Sequence, residues 1–197
     1  MTTDEDDFEW SYPQGSPPIR IGQGFDVHPF ATAASRELVL GGVRIPGERG
    51  LDGHSDADVV AHAVADALLG AASCGELGQL FPDSDPRFED ADSMDLLARV
   101  VDLVWKSSYR ATNVDCTIIC DRPRLAGFTD AMSAKLESVV HAPVGVKPKR
   151  AEGLGSLGRG EGIACIAVAL LVQSPTPDPK RPTQKSPTQK NRSAEKS

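Results

Sequence analysis

Aromatic side chains make up only 5% of this sequence, and its four cysteines include no Cys-x-x-Cys pair. Cys74, Cys116, Cys120 and Cys165 stand in apolar surroundings, a pattern that excludes a zinc ribbon or disulfide framework and fits buried, reduced thiols. No apolar run reaches the roughly 18 to 20 residues of a membrane helix; the longest spans residues 163–172. Positive charge is in the minority, 21 Lys and Arg against 28 Asp and Glu for a net charge of −7. A nucleic-acid partner held by phosphate neutralisation is thereby disfavoured. The N-terminus carries Asp4-Glu5-Asp6-Asp7, opposite in sign to a secretory leader, so a cytoplasmic location is expected.

What remains, 197 residues of which 40% are hydrophobic, fits one globular domain with extensions. Residues 1–17 mix acids with scattered aromatics and prolines and offer no periodic face, so a flexible acidic extension is expected. Residues 174–197 are rich in Pro, Thr, Gln, Lys and Ser, with Pro-Thr-Gln-Lys at 182–185 repeated at 187–190, so a disordered basic tail is expected. Residues 18–173 form the domain between them.

Within the domain, β-branched content bounded by turn residues predicts strands over 19–28, 37–43, 112–120, 144–147 and 163–172. Ala- and Leu-rich periodic stretches predict helices over 58–72, 93–105 and 129–140. The alternation points to an α+β sandwich, one mixed sheet with helices packed on one face. The other face then needs cover, which copies of the same chain around a cyclic axis can supply.

Asp26 and His28 are separated by one residue in a predicted strand, so both side chains share a face, beside Gly22 and Gly24. Alone this is either half of a metal site or an ion pair at a strand end. His54-Ser55-Asp56-Ala57-Asp58 leads into the first helix, with Ser55 or Asp56 placed to cap it; Asp58, His62 and Asp66 follow at helical spacing. His62 facing Asp26 and His28 makes three mixed ligands with an open position, the requirement of a catalytic zinc site. The competing reading of Asp58, His62 and Asp66 is a solvated helix stripe. Three of the chain's four histidines fall in these two segments.

Two further stretches carry potential ligand contacts. Residues 75–86 mix glycines, Asp83, Asp85 and prolines in a turn-rich loop able to orient a polyol. Asp121-Arg122-Pro123-Arg124-Leu125 places two guanidinium groups at a strand end, a diphosphate grip, and Lys147, Lys149 and Arg150 precede the glycine-dense Gly158-Arg159-Gly160-Glu161-Gly162.

In order and spacing, Arg20-Ile-Gly-Gln-Gly-Phe-Asp26-Val-His28, Leu40-Gly-Gly-Val-Arg-Ile-Pro46, His54-Ser-Asp-Ala-Asp58, Asp66-Ala-Leu-Leu-Gly-Ala-Ala72, Gly78-Gln-Leu-Phe-Pro-Asp-Ser-Asp85, Asn113-Val-Asp-Cys-Thr-Ile-Ile119 and Gly158-Arg-Gly-Glu-Gly-Ile-Ala164 resemble the 2-C-methyl-D-erythritol 2,4-cyclodiphosphate synthase family over roughly residues 18–173. The resemblance implies a homotrimer with active sites between subunits and a divalent metal, usually zinc, on Asp26, His28 and His62. It implies a substrate made of cytidine diphosphate linked to methylerythritol phosphate, which closes on itself by intramolecular phosphoryl transfer and releases CMP. His54 and Ser55 would contact the phosphate side, with Asp26, Val27 and His28 lining it. Glu76, Leu77 and Gly78 with Phe81, Pro82, Asp83, Ser84 and Asp85 would hold the methylerythritol. Cys120, Asp121, Arg122, Pro123, Arg124, Leu125 and Ala126 would hold the cytidine nucleotide. Glu152 would coordinate a second ion, magnesium or manganese, while Ser156 and Arg159 would approach ligand near the trimer axis.

The chain departs from the family where Ala-Thr-Thr-Thr is usual and Pro148-Lys149-Arg150-Ala151 stands instead. Lys149 and Arg150 then join His54 as the expected catalytic groups, supplying charge where the family supplies hydroxyls. Glu76 replaces a common Asp, and Ser156 a common aromatic.

Overall fold

The fold was analysed in a computed structural model that describes residues 18–32 and 36–174. The extensions expected over 1–17 and after Ser174 lie outside the described residues.

Six strands and five short or medium helices follow in the order β1 (Ile19–Pro29), β2 (Glu37–Leu40), β3 (Val43–Arg49), α1 (Val59–Ala72), α2 (Leu77–Leu80), α3 (Ser93–Lys106), β4 (Tyr109–Ile119), α4 (Thr129–Val140), β5 (Val144–Lys149), α5 (Gly155–Gly158) and β6 (Gly162–Gln173). The main sheet has the order β1-β6-β4-β5. β6 pairs antiparallel with β1 and β4, and β4 pairs parallel with β5, so the sheet is mixed, as expected.

α1 lies directly on β1 and β6, and its outer side meets α3. That double cover is why Val60, Ala63, Val64, Ala67, Leu68 and Leu69 are all buried and the helix is apolar nearly all round. Gly22 and Gly24 set how close β1 approaches. A Cβ on Gly24 would lie 2.6 Å from the Ala67 amide nitrogen and closer still to the Ala63 carbonyl oxygen.

The strand expected over 37–43 is a hairpin instead. Gly41 and Gly42 take φ of +56° and +71°, a reversal that glycine adopts without steric cost, and β2 and β3 pair antiparallel on either side of it. The turn is tied to α1 through Asp58, whose carboxylate accepts from the amides of Gly41, Gly42, Val60 and Ala61. Asp58, not Ser55 or Asp56, therefore caps α1, and it is fully buried rather than part of an exposed stripe.

The sheet face away from the helices remains apolar and uncovered in a single chain. Ile21 is 71% exposed, Phe25 57% and Val27 48%, and Val168 on β6 adds to the same surface. Pairing of Phe25 with Ile166 and of Ile21 with Leu170 makes this a continuous patch.

Candidate metal centre and flanking clefts

Strand alternation puts Asp26 and His28 on the helix side of β1, and the first turns of α1 bring His62 opposite them. Asp26 Oδ2 lies 3.1 Å from His28 Nε2 and 2.9 Å from His62 Nδ1. The two ring nitrogens are 3.4 Å apart. Among the described residues these three form the one cluster able to hold a metal ion, each with a ligand atom within 4.8 Å of the others.

The far side of each ring decides what the near side offers. His28 Nδ1 is 2.8 Å from the Asp52 carbonyl oxygen, which only accepts, so this nitrogen carries a proton and Nε2, turned to Asp26, is the one that can ligate an ion. His62 Nε2 is 2.8 Å from Ser93 Oγ, and Ser93 Oγ donates to the Asp56 carboxylate. A hydroxyl that has given its one proton to Asp56 accepts from His62 Nε2–H, so Nδ1, 2.9 Å from Asp26 Oδ2, is the nitrogen that can ligate an ion. Two imidazole nitrogens and a carboxylate oxygen thus meet at one point, a donor set that fits a divalent ion with an open position once the ion replaces the imidazole–carboxylate contacts.

The same contacts set the electrostatics of the triad. Burial alone raises the Asp26 pKa, yet hydrogen bonds and charge from His28 and His62 outweigh it and hold the carboxyl far below the usual carboxylate range. Burial lowers the His28 pKa, but the Asp26 hydrogen bond and charge and the Asp52 carbonyl raise it above the ordinary imidazole value.

A cleft of about 240 Å³ opens over the triad, lined also by His54, Ser55, Asp66, Leu77, Gly78, Phe81 and Asp83. His54 Nε2 is 3.3 Å from the Asp85 carbonyl oxygen, and Ser55 Oγ is 3.2 Å from His62 Nε2. Asp66 accepts from the Leu77 amide at 2.7 Å, so it fixes the 76–78 loop against the cleft. Burial raises its pKa. Asp85 is clamped by Arg87, which lowers its pKa to about 2. Phe81 stacks edge-on against Phe88, and Glu76 and Ser84 are exposed beside it, with Pro82 half-buried. Val27 projects to the opposite face of β1.

A second cleft, about 750 Å³, is walled by residues 120–126, Pro148, Lys149, Arg150 and Arg159. Asp121 organises its floor, accepting from the amides of Ala151 at 3.0 Å and Gly153 at 2.9 Å with Arg150 Nε at 3.5 Å. Arg159 is paired with Glu161. Glu152 is exposed at φ +52° in the adjoining turn, and Ser156 is exposed on α5; neither lines either cleft. The two clefts share no residue, so one chain brings the triad, His54 and the polyol loop together and holds the basic strand-end loops apart from them.

Sequence reasoning missed Asp52, Asp56 and Ser93 as supports of the triad. The contributing signal for Ser93 was its place at the head of α3 beside Asp92, which reads equally as a helix start.

Comparison with known proteins agrees with this geometry. The sequence profile of the YgbB family matches residues 19–172. A 2-C-methyl-D-erythritol 2,4-cyclodiphosphate synthase of Geobacillus kaustophilus is 54% identical over 159 residues, covering 79% of this chain and 99% of the relative. One from Moorella thermoacetica is 52% identical over 157 residues, covering 78% and 95%. Among solved structures, the CDP complex of Plasmodium falciparum IspF superposes with a TM-score of 0.69 at 30% identity, over 81% of this chain and 99% of that one. The bifunctional IspDF of Campylobacter jejuni gives 0.76 at 38% identity; 80% of this chain matches 43% of that longer protein.

Proposed function

This chain belongs to the YgbB family, and on that premise we propose how its clefts carry out the 2-C-methyl-D-erythritol 2,4-cyclodiphosphate synthase reaction. The enzyme is a lyase of the non-mevalonate route to isoprenoid precursors. Its substrate is 4-diphosphocytidyl-2-C-methyl-D-erythritol 2-phosphate. An oxygen of the 2-phosphate attacks the β-phosphorus; the new P–O bond closes the ring as the bond to CMP breaks, and no water is consumed.

The observation that carries this reading is the convergence of Asp26, His28 and His62 ligand atoms in a cleft that Leu77, Gly78, Phe81 and Asp83 also line. Asp26, His28 and His62 would hold a divalent ion there, zinc in our reading, and Glu152 magnesium or manganese, which would supply positive charge to the diphosphate. His54, held to the Asp85 carbonyl, and Ser55 meet the phosphate side. Glu76 and the backbone of 77–78, with residues 81–85, orient the methylerythritol hydroxyls. Residues 120–126 embrace the cytidine, while Lys149 and Arg150 bring positive charge to the departing CMP phosphate in place of hydroxyls. Positioning and charge stabilisation supply the rate, with no covalent enzyme intermediate.

Two observations support a homotrimer as the working unit: the apolar sheet face that a single chain leaves open, and the separation of the two clefts. Packing sheet faces around a threefold axis covers the first and sets one chain's triad against its neighbour's nucleotide cleft. Ser156 and Arg159 then approach ligand near that axis. Among the described residues no helix is long and apolar enough to cross a membrane.

Phosphorus NMR of the protein with the cytidyl substrate, zinc and magnesium tests the reading. CMP and a cyclic diphosphate appearing together support it; unchanged substrate in a metal-loaded protein favours instead a trimer that binds metal and nucleotide or isoprenoid diphosphate but has lost catalysis through the change at 148–151.

A further inference from the structure

The imidazole of His62 has two sides, and only one belongs to the triad. On the other, Nε2 lies 2.8 Å from Ser93 Oγ and 3.2 Å from Ser55 Oγ. Ser93 is 1% exposed, at the head of α3 and 31 residues from His62 in the chain. Its hydroxyl donates to Asp56 Oδ1, and its amide donates to Asp56 Oδ2 at 3.2 Å. The Asp58 amide also donates to Asp56 Oδ1, at 3.2 Å. Asp56 is thus acceptor to three donors, and its carboxylate is a nearer and stronger acceptor for the Ser93 hydroxyl proton than Ser55 Oγ at 3.4 Å.

We infer that Asp56 and Ser93 are a positioning pair for His62: they keep the proton on Nε2 and the ring turned so that Nδ1, beside Asp26, is the nitrogen that ligates, and so set the metal affinity of the triad. The inference rests on the reading of the triad as a metal centre. A neutral imidazole flips its tautomer at little intrinsic cost, so an unsupported His62 would present N–H to the ion site for part of the time, and Nδ1–H cannot ligate. A hydroxyl whose proton is committed to a carboxylate removes that alternative and makes the ligand more basic. Ser55 Oγ is farther, and it also accepts from the Ala57 amide, so it supports the ring less strongly.

A purely structural role for the pair, clamping the 55–58 turn to α3, is the competing explanation, and it leaves the ring nitrogens indifferent. Long-range nitrogen–proton NMR of the metal-free protein reads the His62 tautomer directly. The expected pattern is a protonated Nε2 in the wild type and a mixture in Ser93→Ala. Zinc affinity, measured by competition with a chromogenic chelator, should fall about 10- to 100-fold in Ser93→Ala and in Asp56→Asn and return toward wild type in Ser93→Thr. The metal-free melting temperature of each variant separates this from unfolding. An unprotonated Nε2 on wild-type His62, or wild-type zinc affinity in Ser93→Ala, overturns the inference. Should the wild type bind no zinc at all, the metal reading fails, and the tautomer measurement still decides whether Asp56 and Ser93 orient the ring.

Discussion

His28 and His62 offer unlike nitrogens to the same point, Nε2 from the strand and Nδ1 from the helix, 3.4 Å apart. Each ring is held by a bond on its far side, to the Asp52 carbonyl and to Ser93. Both nitrogens face the Asp26 carboxylate, at 3.1 and 2.9 Å, so an ion bound there replaces two imidazole–carboxylate contacts and stabilises the folded chain in step with its affinity.

Removing one ligand tests that dependence. His62→Ala should lose bound zinc in elemental analysis and lower turnover by at least about 1000-fold, on the order of 4 kcal/mol of transition-state stabilisation.

The strand-to-helix approach is tested by glycine. Gly24→Ala places a methyl against the backbone of α1 and should cost about 2–3 kcal/mol in urea denaturation while weakening zinc binding, because β1 carries two of the ligands. Gly70→Ala, whose Cβ would meet only the Gln23 carbonyl oxygen at 3.9 Å, should instead stabilise α1 by roughly 0.5–1 kcal/mol.

The open sheet face predicts the assembly. Phe25→Asp puts a charge in the centre of the apolar patch and should convert a trimer to monomers in sedimentation velocity, with loss of turnover. Because the two clefts are separate, mixing His62→Ala with the double variant Lys149→Ala/Arg150→Ala should restore product formation that neither gives alone, through mixed trimers in which one interface has both halves intact.

Cys120 gives a pH prediction. Burial and the neighbouring Asp121 carboxylate push its thiol up to about 11. At pH 8 its alkylation by iodoacetamide should run about 100-fold slower than that of a free thiol. A pKa raised in the folded state means that stability is fully present below about pH 9 and is lost as pH rises toward 11.

The triad was legible because it follows from two local periods, one strand step between Asp26 and His28 and the head of an Ala-rich helix at His62, with glycines opposite. The supports of the triad were not, because the Ser93 hydroxyl and the Asp52 carbonyl meet their rings through tertiary folding, and one of them is a backbone group that no residue type announces. The hairpin hid in an apolar stretch where Gly41 and Gly42 read as weak strand residues. Three acids precede or open α1, at 52, 56 and 58, and only the fold shows that Asp58 also has the Gly41–Gly42 amides to satisfy.

The central claim, that phosphoryl transfer depends on an ion held by Asp26, His28 and His62, is tested most directly by stripping the protein with chelator and titrating zinc back while phosphorus NMR follows the substrate. The account predicts no cyclic diphosphate from the stripped protein and a rate that saturates near one zinc per chain. Undiminished release of CMP and cyclic product with that site empty would contradict it.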